Sequence, residues 1–213
     1  MADKLKIAVL ASGRGSNFQA LLESIESGLI KDAEVVCLIS NNSDAGVLKI
    51  AKNKNISAHH ISRKQFSTGA EFDNTILNVL LQCEVNFIVL AGYMKLLDVS
   101  IIKKFQNRII NIHPALLPQF GGKGMYGRFV HDAVIASGEK YSGATVHIVD
   151  EKYDNGSIVL QERIALVENE TSETLAAKVL EIEHRILPQA VRLFAEGKVE
   201  ITNGKIKIHH NGK

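Results

Sequence analysis

A segment near the middle of the chain combines a residue that can carry protons with a rigid turn. Residues 111–118 read NIHPALLP and follow an apolar run that is typical of a buried strand. Asn111 and His113 stand two positions apart, so both side chains can point to the same face of a sheet. The two prolines fix φ and remove backbone donors, which predicts a defined turn after the strand. An amide beside an imidazole could exchange protons with a ligand near neutral pH. A solvated histidine at a strand end would explain the same residues.

A second polar segment, residues 12–17, reads SGRGSN and lies between an apolar run and a helical pattern. Glycines allow a tight turn and close approach of a ligand, and a helix N-terminus offers free N–H groups, so the segment predicts a phosphate site. A dinucleotide site would need glycine where Phe18 stands and an acidic residue where residues 40–42 read SNN. The alternative is an ordinary turn whose helix is capped by Ser16 or Asn17.

A third polar segment, residues 150–157, reads DEKYDNGS. Its Asp154 could stabilise a protonated His113 if the fold brings the two together, but they are 154 − 113 = 41 residues apart. The alternative is a hairpin turn in which Asp-Asn-Gly serves turn geometry. His147, on a predicted strand, is interpreted as a structural histidine. No cysteine or histidine cluster has the spacing of metal ligands.

Short apolar runs alternate with helical patterns in the first half of the chain. The apolar runs are residues 5–11, 34–40, 87–91 and 108–112, and the helical patterns are residues 18–27, 45–53 and 71–82. Continuous apolar runs are typical of strands buried on both faces. Strand and helix in alternation predict a Rossmann-like, doubly wound, mostly parallel α/β sheet with helices on both faces. The first two polar segments then lie beyond the carboxyl edge of the sheet, where such folds bind ligands.

The second half of the chain has a different pattern. Residues 142–149 and 158–164 are rich in β-forming residues and are separated by a polar turn, so we expect an antiparallel edge of the same sheet. Residues 171–196 carry an apolar stripe with helical spacing and predict a long helix. Pro188 should kink or break that helix.

The C-terminal residues predict a small appendage. Apolar and polar residues alternate on both sides of Asn203-Gly204, which predicts a hairpin over residues 199–208. Because the chain has neither repeats nor a Pro/Ser-rich linker, residues 1–213 are interpreted as one domain.

Composition excludes several classes of protein. With 46% hydrophobic and 23% charged residues, the 213-residue chain matches globular usage. A formal charge of +2 offers no sequence-independent hold on nucleic acid. The N-terminal apolar run is too short for a signal peptide and no run could span a membrane, so we expect a soluble, cytoplasmic protein. Cys37 and Cys83 lie in apolar stretches and are expected to be free thiols in a reducing compartment.

Four segments together resemble the phosphoribosylglycinamide formyltransferases, folate-dependent enzymes of purine biosynthesis. The segments are residues 12–17, residues 91–97 (AGYMKLL), residues 111–118 and residues 154–156 (DNG). The likeness covers residue 6 to about residue 196. It implies the formyltransferase type of Rossmann-like fold. It also implies a reaction in which the formyl group of the co-substrate, 10-formyltetrahydrofolate, is transferred to the amine of glycinamide ribonucleotide. The implied reaction uses no metal.

The resemblance also divides the chain by role. It implies a half that binds the ribonucleotide phosphate over about residues 1–100, a catalytic and folate-binding half over about residues 101–196, and a hairpin tail over about residues 197–213. The implied partners are the two small-molecule substrates, with no nucleic acid and no membrane, and the implied assembly is a monomer or a homodimer.

Individual residues acquire roles from the same resemblance. His113 and Asn111 would stabilise the oxyanion that forms when the amine attacks the formyl carbon, and Asp154 would keep His113 cationic and order a water that carries protons. The residues implied for the ribonucleotide are Gly15, Ser16, Asn17 and Glu183. Those implied for the folate are Met94, Lys95, Leu96, Leu97, Asn111, Asp150 and Asp154. The apolar folate residues could instead pack in the core, and Glu183 could be a charge on a helix surface.

The chain departs from the family pattern in two places. Residues 119–127 read QFGGKGMYG where many members carry a histidine-containing stretch, so Lys123 is a candidate replacement there. An arginine that contacts the folate glutamate in some members has no match between Ser67 and Glu71.

Three rival functions remain open from the sequence. They are another formyltetrahydrofolate-dependent formyltransferase, acting on methionyl-tRNA or an amino sugar nucleotide, a formyltetrahydrofolate hydrolase, and a non-catalytic module that binds a phosphosugar. The length and charge of the chain weigh against the first two, and the third predicts binding that does not depend on His113.

Overall fold

The computed structural model describes residues 4–209, so the ends of the expected domain 1–213 lie outside the described residues. The strands are β1 Leu5–Leu10, β2 Ala33–Ser40, β3 Ser57–His60, β4 Phe87–Leu90, β5 Ile109–His113, β6 Tyr141–Ile148, β7 Ile158–Ala165, β8 Val199–Thr202 and β9 Lys205–Ile208. The α-helices are α1 Ser16–Glu26, α2 Gly46–Asn53, α3 Gly69–Gln82, α4 Val99–Lys104, α5 Arg128–Ser137 and α6 Ser172–Ala195. A short 3₁₀ helix covers Arg63–Gln65.

Seven strands form one sheet in the order β3-β2-β1-β4-β5-β6-β7. Strands β1 to β5 run parallel, whereas β6 is antiparallel to β5 and β7 is antiparallel to β6. The predicted α/β class, with a mostly parallel sheet and an antiparallel edge, is confirmed. The order reverses between β1 and β4, because the chain crosses there from one half of the sheet to the other, and such a point is the usual ligand site of this architecture.

Helices cover both faces of the sheet, as predicted. Strand β1 shows why: Ile7 and Val9 belong to the core under α1, α2, α5 and α6, while Ala8 and Leu10 belong to the core under α3 and α4. All four of these β1 residues are fully buried. The sequence of β1 is therefore apolar at consecutive positions rather than at every second one.

One strand and two α-helices were not predicted from the sequence, and neither was the short 3₁₀ helix. Strand β3 is short, polar and at the edge of the sheet, so it has no apolar run that would reveal it. Helix α4 has only six residues. Helix α5 buries Val130, His131 and Val134 but begins directly after a glycine-rich loop, which obscured its pattern.

Helix α6 runs without interruption through Pro188, so the predicted break is wrong. Proline removes one backbone hydrogen bond from a helix. Here the residue itself and its neighbours Ile186, Leu187 and Ala190 are buried against the sheet and α1. That apolar packing holds the helix together across the missing bond.

The C-terminal hairpin is confirmed as β8 and β9, which form a separate two-stranded sheet. Asn203 and Gly204 both have positive φ, of 51° and 74°, as the turn in such a hairpin requires. Residues 210–213 of the predicted tail lie outside the described residues.

Gly156 should be essential to the fold, because a Cβ at this position would overlap the carbonyl oxygen of Ile148. We expect Gly156→Ala to lower the free energy of unfolding by about 1–3 kcal/mol, as overpacking generally does. Urea unfolding followed by circular dichroism measures the change. In the control variant Gly69→Ala, the new methyl group meets no atom closer than 4.0 Å. Equal stabilities of the two variants would contradict the prediction.

Candidate active site

A cavity of about 740 Å³ opens at the carboxyl ends of β1, β4 and β5. Its volume is that of a site for one or two small organic molecules. The loop after β1 forms one wall, and the loop after β4 forms another. The end of β5, the loop over residues 150–157 and helix α6 form further walls, and residues 122–128 with His131 of α5 form the rest. The cavity therefore lies where the topology predicts a ligand.

The structure brings Asn111, His113 and Asp154 together in this cavity. The Nδ1 of His113 is 3.7 Å from Oδ2 of Asp154, and the amide of Asn111 donates a long, 3.4 Å bond to Oδ1 of the same carboxylate. His113 is buried, so the alternative of a solvated histidine is wrong. Two distant parts of the chain, the end of β5 and the loop that carries Asp154, thus meet in one cavity.

Hydrogen bonds from strand β6 hold the turn after β5 in place. The hydroxyl of Thr145, on β6, donates to the carbonyl of Ala115 over 2.6 Å and accepts from the backbone N–H of Leu117 over 3.1 Å. The peptide bond before Pro118 is cis. The Nε2 of His113 donates to the carbonyl of Phe120 over 2.8 Å, so the ring is fixed from both sides.

Asp154 is held by several donors. Its Oδ2 accepts the backbone N–H of Gly122 over 2.9 Å. Its backbone lies in the left-handed region, with φ of 50°, which aspartate tolerates better than most residues. The turn sequence Asp-Asn-Gly therefore serves both turn geometry and the cavity, and the interpretation as a turn alone is incomplete.

Burial decides the charge of this cluster. Burial lowers the pKa of His113 below its ordinary value, while Asp154 and the Phe120 carbonyl act in the opposite direction without overcoming it. Burial would raise the pKa of Asp154, but the neighbouring His147 and His113 and the backbone N–H of Gly122 hold it below its ordinary value. Asp154 does favour a cationic His113, as expected, but in this arrangement the ring is neutral at neutral pH.

His147 orients Asn111. Its Nδ1 lies 2.8 Å from the carbonyl of Ile148, which places the ring proton on that nitrogen. The Nε2 is then free to accept the amide of Asn111 over 3.0 Å. His147 is therefore more than a structural histidine of the strand, because it sets which way the amide of Asn111 points.

The N-terminus of α1 has no side-chain cap, so the interpretation of residues 12–17 as a capped turn is wrong. Gly15 lies in the left-handed region, with φ of 90°, and a Cβ there would press on Val47 at 2.8 Å. Gly15 and Ser16 flank the cavity at the start of α1, while Arg14 and Asn17 line it. The loop leaves backbone N–H groups available for an anion.

Glu183 and Asn17 form a buried pair. The amide of Asn17 donates to Oε2 of Glu183 over 2.7 Å, and the buried Oδ1 of Asn17 has no hydrogen-bond partner within residues 4–209. Burial raises the pKa of Glu183 to about 7, against the smaller effect of the Asn17 bond. The interpretation of Glu183 as a charge on a helix surface is wrong.

The residues expected for the folate, Met94 to Leu97, line the opposite wall. Met94 and Leu96 are about half exposed, whereas Leu97 is also part of the core under α3 and α4. The backbone N–H of Met94 donates to the hydroxyl of Ser12 over 3.0 Å, which ties this wall to the loop after β1.

Asp150 does not line the cavity. Its carboxylate accepts the backbone N–H of Lys152 and the amide of Asn155, both over 2.9 Å. Asp150 therefore shapes the loop that carries Asp154, and its side chain has no direct part in the cavity wall.

The sequence profile of the formyl transferase family matches residues 5–191 of the chain. The chain belongs to the formyl transferase family. A phosphoribosylglycinamide formyltransferase of Haemophilus influenzae is 39% identical over 196 residues, which are 92% of this chain and 90% of that protein. The chloroplastic phosphoribosylglycinamide formyltransferase of Vigna unguiculata is 41% identical over 194 residues, which are 91% of this chain but only 62% of that protein.

A solved structure agrees with this assignment. Glycinamide ribonucleotide transformylase 1 from Symbiobacterium toebii superposes with a TM-score of 0.91 and 36% identity, covering 98% of this chain and 95% of that chain. The resemblance inferred from the sequence is confirmed, and the seven-stranded sheet is the formyl transferase fold.

Several residues that line the cavity of this formyl transferase were not singled out from the sequence, among them Arg14 and His131. Arg14 lies within the loop of residues 12–17 but was not singled out. His131 lies on the buried face of α5, and a histidine within the apolar stripe of Val130 and Val134 could have marked it had the helix been predicted. Lys123, considered as a replacement contact, does line the cavity.

Residues 4–209 contain no group of three or more histidine, cysteine, aspartate or glutamate side chains placed to hold a metal ion. Within the same residues, every helix is too short or too polar to cross a membrane. Cys37 and Cys83 are both free thiols, as expected.

Replacing Glu183 should change the pH dependence of stability. The folded protein keeps a proton on Glu183 up to about pH 7, whereas an unfolded chain releases it near the ordinary value, so the stability of the folded state falls as pH rises between the two. We expect Glu183→Gln to be more stable, relative to the parent, at pH 8 than at pH 5, by on the order of 3 kcal/mol.

Urea unfolding of the unliganded protein at both pH values measures this difference. The matched control is Glu181→Gln on the same helix, where the side chain is exposed. A Glu183→Gln effect that is the same at pH 5 and pH 8 would show that the carboxyl is not held protonated.

Proposed function

We propose that this formyl transferase moves the formyl group of 10-formyltetrahydrofolate to the amine of glycinamide ribonucleotide, in purine biosynthesis. The observation that carries the proposal is the position of the Asn111, His113 and Asp154 cluster. It lies in one cavity between the uncapped start of α1 and the half-exposed wall at Met94 and Leu96. One side suits an anionic sugar phosphate, and the other suits a flat, largely apolar ring.

The acceptor substrate would lie on the side of α1. Backbone N–H groups of Gly15, Ser16 and Asn17 bind its phosphate in this proposal, and the guanidinium of Arg14, which lines the cavity, adds a positive charge. Glu183 and the unpartnered Oδ1 of Asn17 then accept hydrogen bonds from hydroxyl or amine groups further along the molecule.

The folate would lie against Met94 to Leu97, with its ring near the loop that carries Asp154. Lys95, Lys123 and Lys152 also line the cavity. Their ammonium groups can hold the carboxylates of the folate glutamate tail, a task for which this chain has no arginine between Ser67 and Glu71.

The reaction requires stabilisation of one negative charge and movement of one proton. Attack by the amine forms a carbon–nitrogen bond and places an electron pair on the formyl oxygen. A protonated His113 and the amide of Asn111 stabilise that oxygen, and Asp154 stabilises the imidazolium. Collapse breaks the bond to N10 of the folate, which takes the proton that the amine released.

The hydrogen bonds around His113 and Asn111 must loosen before this chemistry. The Nε2 of His113 now donates to the Phe120 carbonyl, and both amide hydrogens of Asn111 face His147 and Asp154. The bond to Asp154 is long, and Phe120 has a strained φ of 54°. Movement of the loop at residues 119–127 would release both donors to the formyl oxygen. The mechanism needs no metal ion and no covalent enzyme intermediate, so fixed geometry supplies much of the acceleration.

The proposal extends to the setting of the enzyme. Residues 1–213 form one domain that works in the cytoplasm as a monomer or a homodimer, without nucleic acid or membrane partners. A net charge of +2 and the free thiols of Cys37 and Cys83 support this setting.

Incubation with 10-formyltetrahydrofolate and glycinamide ribonucleotide tests the function directly. We expect tetrahydrofolate and formylglycinamide ribonucleotide in equal amounts, measured by absorbance and mass spectrometry. Release of formate without the acceptor would indicate a hydrolase instead. Binding of the ribonucleotide without turnover would indicate a module that only binds phosphosugars.

His113→Ala should abolish formyl transfer while ribonucleotide binding persists. Loss of the oxyanion donor and proton carrier should lower kcat by about 10²–10⁴-fold, with the Kd for glycinamide ribonucleotide within about threefold of the parent value. Steady-state kinetics and calorimetry measure the two quantities. His209→Ala, in an exposed position of the terminal hairpin, is the control. Unchanged turnover in His113→Ala would contradict the catalytic role.

Asp154→Asn should reduce activity more at neutral than at acidic pH. Asp154 raises the pKa of His113, so the neutral amide leaves less of the imidazolium that the reaction uses, and the deficit grows as pH rises. We expect the ratio of parent to variant kcat to be larger at pH 7.5 than at pH 5.5. A ratio that is constant across this range would exclude the electrostatic role.

A further inference from the structure

His131 lines the cavity but has no part in the mechanism described so far. It lies in α5 between Val130 and Val134, and 6% of its surface is exposed. Its Nδ1 is enclosed and has no hydrogen-bond partner among residues 4–209. His113 and His147, in the same cavity, each have a ring nitrogen bonded to a backbone carbonyl. His131 differs from both in this respect.

The surroundings determine the tautomer of His131. Burial lowers its pKa, reinforced by the neighbouring His113 and opposed by Asp132, so the ring is neutral and carries one proton. A proton on Nδ1 would be a buried donor with no acceptor, which is costly. The proton is therefore on Nε2, the nitrogen that is not enclosed in this way. The ring offers the cavity one neutral N–H donor.

The location of His131 indicates which of the two substrates lies next to its ring. Helix α5 packs against α6, which contributes Ala176, Val179 and Glu183 to the same cavity. This is the side that we assign to the ribonucleotide. His131 is also close enough to His113 for their charges to interact. The ring thus lies between the acceptor side and the reacting carbon.

We propose that the Nε2–H of His131 donates a hydrogen bond to the glycinamide carbonyl of the acceptor substrate and so aims its amine at the formyl carbon. The proposal rests on the proposed function. The carbonyl is the polar oxygen nearest the attacking amine in that molecule. His131 is a positioning residue, because it binds the substrate beside the reacting atoms and exchanges no proton.

A neutral donor suits this place better than a cation. The amine approaches as a base that must stay unprotonated, and a positive charge beside it would compete with the imidazolium of His113. An imidazole kept neutral by burial can donate to a carbonyl without either conflict.

Three variants test the donor. His131→Phe removes the N–H and keeps the ring volume, His131→Gln restores an N–H near Nε2, and His131→Asn places its amide near Nδ1. We expect His131→Phe to raise the KM for glycinamide ribonucleotide about tenfold, the loss of one hydrogen bond, with the KM for 10-formyltetrahydrofolate within about twofold of the parent. His131→Gln should recover most of the loss, and His131→Asn should not.

A matched core variant separates binding from packing. Val134→Ala on the same buried face of α5 should lower stability but leave the KM for the ribonucleotide unchanged. Equal KM values for His131→Phe and the parent would overturn the proposal. So would a fall in kcat with no change in KM, or a failure of His131→Gln to recover binding in folded protein.

Nitrogen-15 NMR of labelled histidine gives a reading that a purely structural role would not move. We expect the Nε2 of His131, identified by its loss in His131→Phe, to be protonated and to shift when glycinamide ribonucleotide is added alone. A proton on Nδ1, or no shift at saturating ribonucleotide, would overturn the proposal. The formyl transfer assay with the parent enzyme tests the proposed function separately. Turnover in that assay would support the function whichever tautomer of His131 the NMR experiment finds.

Discussion

The Asp154 carboxylate organises the cavity, because it is largely buried and ionised at the same time. Only 11% of the side chain is exposed, and a buried carboxylate is stable only when donors surround it. The donors are the backbone N–H of Gly122, in the loop after β5, and the amide of Asn111 on β5. The loop that carries Asp154 is thereby held against both of them. A change at this carboxylate would disturb the loop, the amide and the imidazole together.

The same burial creates the chemistry of the cluster. It favours the neutral form of His113, and Asp154 favours the charged form, so the two opposing effects leave the ring neutral but ready to take a proton. A ring that was permanently charged would be a poorer proton carrier. Substrate that displaces water would strengthen the attraction between the imidazolium and the carboxylate, since it lowers the local dielectric constant. Substrate binding therefore favours the protonated form of His113, which is the form that the reaction uses.

The sequence predicts the strands and helices of this protein well, but it predicts the contacts between distant residues in the cavity less well. Strands β1 and β4 are recognisable because burial on both faces requires continuous apolar residues. Helices α1 and α3 are recognisable because burial of one face requires an apolar stripe. The pairing of His113 with Asp154 depends on how the chain returns across β6, and no local sequence pattern predicts that return. The residues alone therefore left this pairing open, and the family resemblance favoured it. The sequence also cannot tell the two carboxylates of this loop apart: that of Asp150 accepts bonds within its own turn, whereas Asp154 faces the cavity.

Three histidines in one cavity illustrate how the fold assigns different tasks to one side chain. His147 donates through Nδ1 to a backbone carbonyl and accepts through Nε2, so it can only orient Asn111. His113 donates through Nε2 to a backbone carbonyl and has its Nδ1 3.7 Å from the Asp154 carboxylate, so a second proton on this ring would face a negative charge. His131 has a sealed Nδ1 and is left with a single donor toward the cavity. The hydrogen bond made by one ring nitrogen fixes what the other can do, and the backbone around each ring thus determines whether it orients, carries a proton or binds.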